Sequence, residues 1–161
     1  MRKTVLAALL LTFALGAQAK APFKGKDYSG IYSCTGSNEL VGDYEVKVTL
    51  KLNPISSQGR FGAYEYTTET SNGTKYAGQA MADRHFMAIS FQFNGKSVYG
   101  RGHSIGHAIF DESSRRRTFH KRYYEPDDNG GNYGYERCVF TEPLPQPEKK
   151  AATAPATAAK P

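Results

Sequence analysis

From Tyr44 to Leu52 apolar and polar side chains alternate without a break. Tyr44, Val46, Val48, Leu50 and Leu52 fall on one face, and Glu45, Lys47, Thr49 and Lys51 on the other. A period of two marks a strand with one face buried. It stops at Asn53-Pro54, where proline cannot donate to a ladder. The pattern recurs from His85 to Phe93, with Met87, Ile89, Phe91 and Phe93 on one face, and ends at Asn94-Gly95. A second such dipeptide, Asn72-Gly73, separates residues 63–70 from 74–81. Asn-Gly supplies the positive φ angles of a tight turn, so both dipeptides predict hairpins. Adding residues 28–35, 98–110, 118–124 and 133–140 gives eight expected strands. No stretch after the N-terminal segment carries a helical stripe.

Eight strands joined by short links favour neighbour pairing, and such a meander closes most simply when its first strand pairs with its last. The two cysteines agree with this. Cys34 falls in the first expected strand and Cys138 in the last, and a bridge between them requires those strands to lie side by side. The expected fold is therefore all-β, a small antiparallel up-and-down barrel tied at its seam by a disulfide. A two-sheet β-sandwich is the alternative.

The ends of the chain read differently. Met1-Arg2-Lys3, an apolar run from Val5 to Leu15 and then Ala17-Gln18-Ala19 have the form of a cleaved secretory signal, with the mature protein starting near Lys20. An exported chain meets oxidising conditions, in which an even cysteine count is read as a bridge. Residues 142–161, rich in Pro, Ala and Thr, read as a disordered tail, because they offer little apolar area to bury. Residues 20–141 remain as one domain. Removing Arg2 and Lys3 from the 21 basic residues leaves 19 against 15 acidic ones, a mature charge of +4. That balance is too mild for a nucleic-acid footprint, and no later apolar run reaches the ~20 residues of a membrane helix. A periplasmic or secreted protein is the expectation.

Gly30-Ile31-Tyr32 at the entry of the first strand resembles the Gly-x-aromatic opening of lipocalin- and avidin-like barrels. The resemblance implies a barrel architecture. The chain has no Trp, the usual aromatic there, so no ligand residue of those families transfers. In size, export and disulfide the chain is also similar to small periplasmic lysozyme inhibitors, whose Ser-Gly-x-x-Tyr loop has a shortened counterpart in Ser29-Gly30-Ile31-Tyr32. That resemblance implies an inhibitor of a cell-wall hydrolase.

Few residues suggest catalysis. His103 and Ser104 are adjacent on an expected strand and so face opposite sides, while His103 and His107 lie roughly 13 Å apart on one face, too far to share a metal. No catalytic residue, metal or cofactor is expected. Glu65, Glu125 and Asp127 are the carboxylates an envelope hydrolase would use, with Glu65 placed on either face by the pattern. Arg115-Arg116-Arg117, with Lys121 read as outward-facing, forms a basic turn able to meet an anion. The most distinctive segment runs from Tyr123 to Tyr135 and sets tyrosines around an acidic, glycine-rich tip. Tyrosines give large contact area at low entropic cost, and short polar side chains adapt to a partner. Tyr124, Asp127, Asp128, Asn129, Tyr133 and Tyr135 are accordingly the expected binding residues. The expected function is non-enzymatic: binding of a small ligand, glycan or envelope protein through the barrel mouth and this loop.

Overall fold

The computed structural model describes residues 20–97, 100–126 and 130–145. They form eight strands: β1 (Gly30–Asn38), β2 (Gly42–Leu52), β3 (Phe61–Thr70), β4 (Lys75–Asp83), β5 (Phe86–Ser97), β6 (Gly100–Asp111), β7 (Thr118–Glu125) and β8 (Asn132–Glu142). Each pairs antiparallel with the next, and β8 pairs with β1 to close a barrel. The sandwich alternative is thereby excluded. Closure leaves no unpaired sheet edge. At the seam Cys34 stands directly opposite Cys138, and the two are disulfide-bonded inside the barrel.

Alternation decides which side chains enter. The predicted face of β2 does so: Val46, Val48 and Leu50 are buried, as are Met87, Ile89 and Phe91 on β5. On β3 the inward set is Tyr64, Tyr66 and Thr68, so Glu65 points outward to Lys51. This settles the face of Glu65 against a buried carboxylate. The reason is burial gain, since enclosing a large side chain contributes roughly 1.5–3 kcal/mol while a lone buried charge is costly.

The two Asn-Gly dipeptides diverge. Asn72-Gly73 makes the turn between β3 and β4, with Gly73 at φ 84° and Asn72 Oδ1 accepting the Thr74 N–H. Asn94-Gly95 does not end a strand. β5 runs through it to Ser97, with a register shift against β6 between Gln92 and Lys96. Glycine in a strand serves a bulge as readily as a turn, and pattern alone does not separate the two.

One end of the barrel is filled. Tyr28, from the segment before β1, stacks on Phe110 with ring centroids 3.7 Å apart, and Tyr32, Phe119 and Phe140 pack edge-on beside it. The Tyr28 hydroxyl donates to the Arg84 carbonyl, and the Tyr28 N–H donates to the Tyr64 hydroxyl, so the incoming chain plugs this end. Arg117 contributes as well. Its guanidinium lies 4.0 Å from the Phe140 ring centre and donates to the carbonyls of Asp27 and Ser29. The third arginine of the basic turn thus holds the plug, while Arg115 and Arg116 are exposed.

Candidate functional site

At the opposite end, where β1 joins β2, β3 joins β4, β5 joins β6 and β7 joins β8, the described residues leave an opening. It holds a cavity of about 440 Å³, within the range of small-ligand sites. Its walls include Tyr44, Tyr76, Phe91 and Tyr123, with Asn38, Thr68, Glu125 and Glu136 between them.

Two glycines make room for this arrangement. Gly36 on β1 stands opposite Tyr44, and a Cβ there would lie 2.6 Å from the Tyr44 ring. Gly134 on β8 stands opposite Tyr123, where a Cβ would come within 2.0 Å of that ring. Each ring lies flat across its glycine, and the two hydroxyls meet 2.7 Å apart above Glu136.

Below them lies the least expected feature of the chain. Lys121 is wholly buried, with its Nζ 2.7 Å from Glu136 Oε1, and Glu136 is 3 % exposed. This overturns the outward placement of Lys121. Phe119, Lys121 and Tyr123 share one face of β7, and the two aromatics carry the lysine in with them. Its directly paired neighbour on β8 is Glu136, which faces inward with Cys138. Alternation with Phe119 and Tyr123 on β7 and with Cys138 on β8 points both residues inward, a signal the sequence carries and the outward reading of Lys121 passed over.

The pair sits in a network of hydrogen bonds. Lys121 donates to Glu136 and to the Tyr66 hydroxyl, which also accepts from Thr68 Oγ1 at 2.8 Å. Tyr44 gives its single proton to Glu136 Oε1, so the proton between the two tyrosines comes from Tyr123, and Asn38 Nδ2 donates to Tyr123. The ammonium also lies 4.8 Å from the ring centre of Tyr123, 5.0 Å from Phe91 and 5.5 Å from Tyr66, a cation–π cage. Burial alone pushes the Lys121 pKa down, but Tyr66 and Glu136 outweigh it and hold the pKa above the ordinary lysine value. Burial and the Glu136 charge push the Tyr44 hydroxyl well up. The floor is a fixed ion pair under a neutral tyrosine lid.

Glu125, at the end of β7, is the carboxylate nearer solvent. Burial raises its pKa above 4.5, while Asn132, Ser104 and the Lys121 charge pull it back and Glu136 adds to the rise. Asn132 Nδ2 lies 3.4 Å from Glu125 Oε2, and Asn132 Oδ1, buried, has no hydrogen-bond partner among the described residues. A carboxyl with a raised folded pKa binds more protons folded than unfolded between the two values. Stability therefore falls as pH rises through that window and stays lower above it. Glu125→Gln should remove this loss: the variant gains on the wild type from just above pH 4.5 upward and matches its pH dependence below. Urea melts at a series of pH values check it, and parallel pH profiles for both proteins would refute it.

The expected binding residues divide. Tyr124, Tyr133 and Tyr135 lie on the outer wall, not in the cavity. Tyr133 is 66 % exposed and Tyr135 42 %, with Tyr124 and Tyr133 ring centres 4.9 Å apart and Tyr135 bonded to His120. Shallow clefts beside them are lined by Ile105, His107, Arg122, Ser37 and Glu39. Asp127, Asp128 and Asn129 lie outside the described residues. Cys34, Cys138 and Glu136 cluster closely enough to hold a metal, but the sulfurs are bonded to each other and offer no thiolate.

No protein-family model matches the chain, and no curated protein matches it. Among solved structures it is similar to that of EF1p2_mFAP2b bound to DFHBI, at 13% identity, over 70% of this chain and 93% of that one, with a TM-score of 0.44. The class of protein is thus defined by its own strands, as a closed eight-stranded barrel plugged at one end and open at the other.

Proposed function

We propose that this is an exported, non-enzymatic binding protein that holds a small ligand in the open mouth of its barrel. The observation that carries the reading is the aromatic-walled cavity of about 440 Å³ above the Lys121–Glu136 ion pair and its tyrosine lid. The two charges of the floor are paired with each other, so the site is preformed and a guest loses little to reorganisation. The signal-like N-terminus and the disulfide support export. The loop from Tyr124 to Tyr135, including Asp127, Asp128 and Asn129, offers a second contact surface for a glycan or envelope protein, favoured by the exposure of Tyr133.

Nile red, a neutral dye that brightens in apolar surroundings, separates the two surfaces. Val46 lines the cavity and is buried, so Val46→Phe adds bulk there without removing any bond of the floor. That variant should cut dye binding at least fivefold with the far-ultraviolet spectrum unchanged. Joint replacement of Tyr124, Tyr133 and Tyr135 by serine should leave it intact. The reverse pattern assigns binding to the outer wall.

A further inference from the structure

We propose that the mouth cavity selects small organic cations, an aromatic or alkyl group carrying an ammonium, with Glu125 as the counter-ion. This deepens the proposed binding function and rests on it. Three observations carry the inference, and each is independent of the others.

The first is charge. Among the described residues around the cavity are four carboxylates and no lysine, arginine or histidine: Glu125 and Glu136 face inward, and Asp43 and Glu45 stand at its rim on the exposed face of β2. Lys121 neutralises Glu136 from below and is itself sealed from the cavity by zero exposure. Asp43, Glu45 and Glu125 form no ion pair with any described residue in the structure. The chain as a whole is basic, at +6, so the acidic mouth runs against the molecule's net charge. A cleft of one sign with low-dielectric walls concentrates ligands of the other.

The second is the walls. Tyr44, Tyr76, Phe91 and Tyr123 present ring surfaces to the cavity, and an aromatic enclosure recognises ammonium groups through the ring quadrupole. The protein already contains an example of this at the cavity floor. The Lys121 ammonium sits among Tyr66, Phe91 and Tyr123 with a carboxylate at 2.7 Å. Phe91 and Tyr123 also line the cavity above, where Glu125 stands as Glu136 does below.

The third is the free acceptor. Asn132 faces inward on β8, behind the cavity wall and directly paired with Glu125, which lines it, and is 6 % exposed. Its Oδ1 has no partner among the described residues, and an unpartnered buried acceptor is costly unless a donor reaches it. Glu125 and Asn132 together offer acceptors, and the donors beside them, the Asn132 amide and the Ser104 hydroxyl, are already directed at Glu125. An N–H-bearing cation matches that set, and a carboxylate or phosphate does not.

Benzyltrimethylammonium, benzylammonium, benzyl alcohol and benzoate share one ring and differ in charge and N–H donors. Each is titrated calorimetrically into the protein, with Nile red displacement as a second readout. The two ammonium probes should bind at least tenfold more tightly than the alcohol, and benzoate should not bind. Their affinity should fall at least fivefold in Glu125→Gln, while the affinity of that variant for benzyl alcohol falls less than twofold. Benzylammonium should exceed the trimethyl form through Asn132, and Asn132→Asp, which keeps an acceptor, should retain the cation preference. Equal affinity for the alcohol and the cations, or unchanged cation affinity in Glu125→Gln, overturns the inference while leaving the mouth as a binding site. Failure of every probe and of Nile red overturns the binding reading itself, and the inference with it.

Discussion

Replacing Lys121 by methionine should destabilise the protein by about 3–5 kcal/mol, the range for stranding one partner of a buried ion pair. Methionine nearly matches the lysine stem, so packing changes little and the loss measures charge. Glu136 would be left 3 % exposed with its counter-ion gone, held only by the Tyr44 hydroxyl. Against a total stability of 5–15 kcal/mol for ordinary domains, that takes a large share. The double variant Lys121→Met with Glu136→Leu should recover most of the loss, because an apolar pair of similar volume often equals or exceeds a buried ion pair in stability. Equilibrium urea unfolding of the three proteins measures both effects. A single variant within 1 kcal/mol of wild type would mean that water or a rearranged side chain already screens the pair.

The second large effect concerns the seam. Cys34 and Cys138 close a loop of 104 positions, and the chain-entropy relation assigns such a cross-link about 4.7 kcal/mol, acting mainly on the unfolded state. Joint replacement by alanine should lower stability by roughly 3–5 kcal/mol and leave the β1–β8 register in place, since seven residue pairs hold it besides the cysteine pair. Denaturant midpoints with hydrogen exchange at β1 amides test this. If the variant loses less than about 1 kcal/mol, the unfolded chain keeps its ends together without the bridge. The two perturbations are adjacent, because Glu136 Oε2 lies 3.8 Å from Cys138 Sγ. Their effects should not add, as is usual for residues in contact.

How far the sequence specifies this molecule depends on which face of each strand is apolar. Where one face is plainly apolar, as on β2, alternation gives the inward set correctly, and the cysteines of β1 and β8 give the closure. Where both faces carry aromatic or charged groups, alternation separates the faces without orienting them. Glu65 and Tyr66 are such a case, and the choice falls to whichever set fills the barrel. Lys121 departs from its expected outward position for a different reason. Lysine is almost never fully buried unless paired, and its partner Glu136 is visible only once the β7–β8 register is known. Period two alone, through Phe119 and Tyr123, would have placed it inside. The cavity was not legible at all, because it depends on Gly36 and Gly134 standing opposite Tyr44 and Tyr123, a relation between strands and not within one.

The position of the disulfide also fixes how the barrel answers a mechanical load. Gly30 begins β1 and Glu142 ends β8, so both ends of the barrel leave from the plugged end, side by side. Tension drawn between them opens the seam like a zipper, one pair at a time, from Ile31 opposite Glu142 toward Cys34 opposite Cys138. There it meets a covalent bond and stops. The 104-position loop behind the bridge, with the ion pair, the tyrosine lid and the mouth, is outside the path of the force. A protein pulled by its ends would lengthen by a few residues and keep its binding end intact.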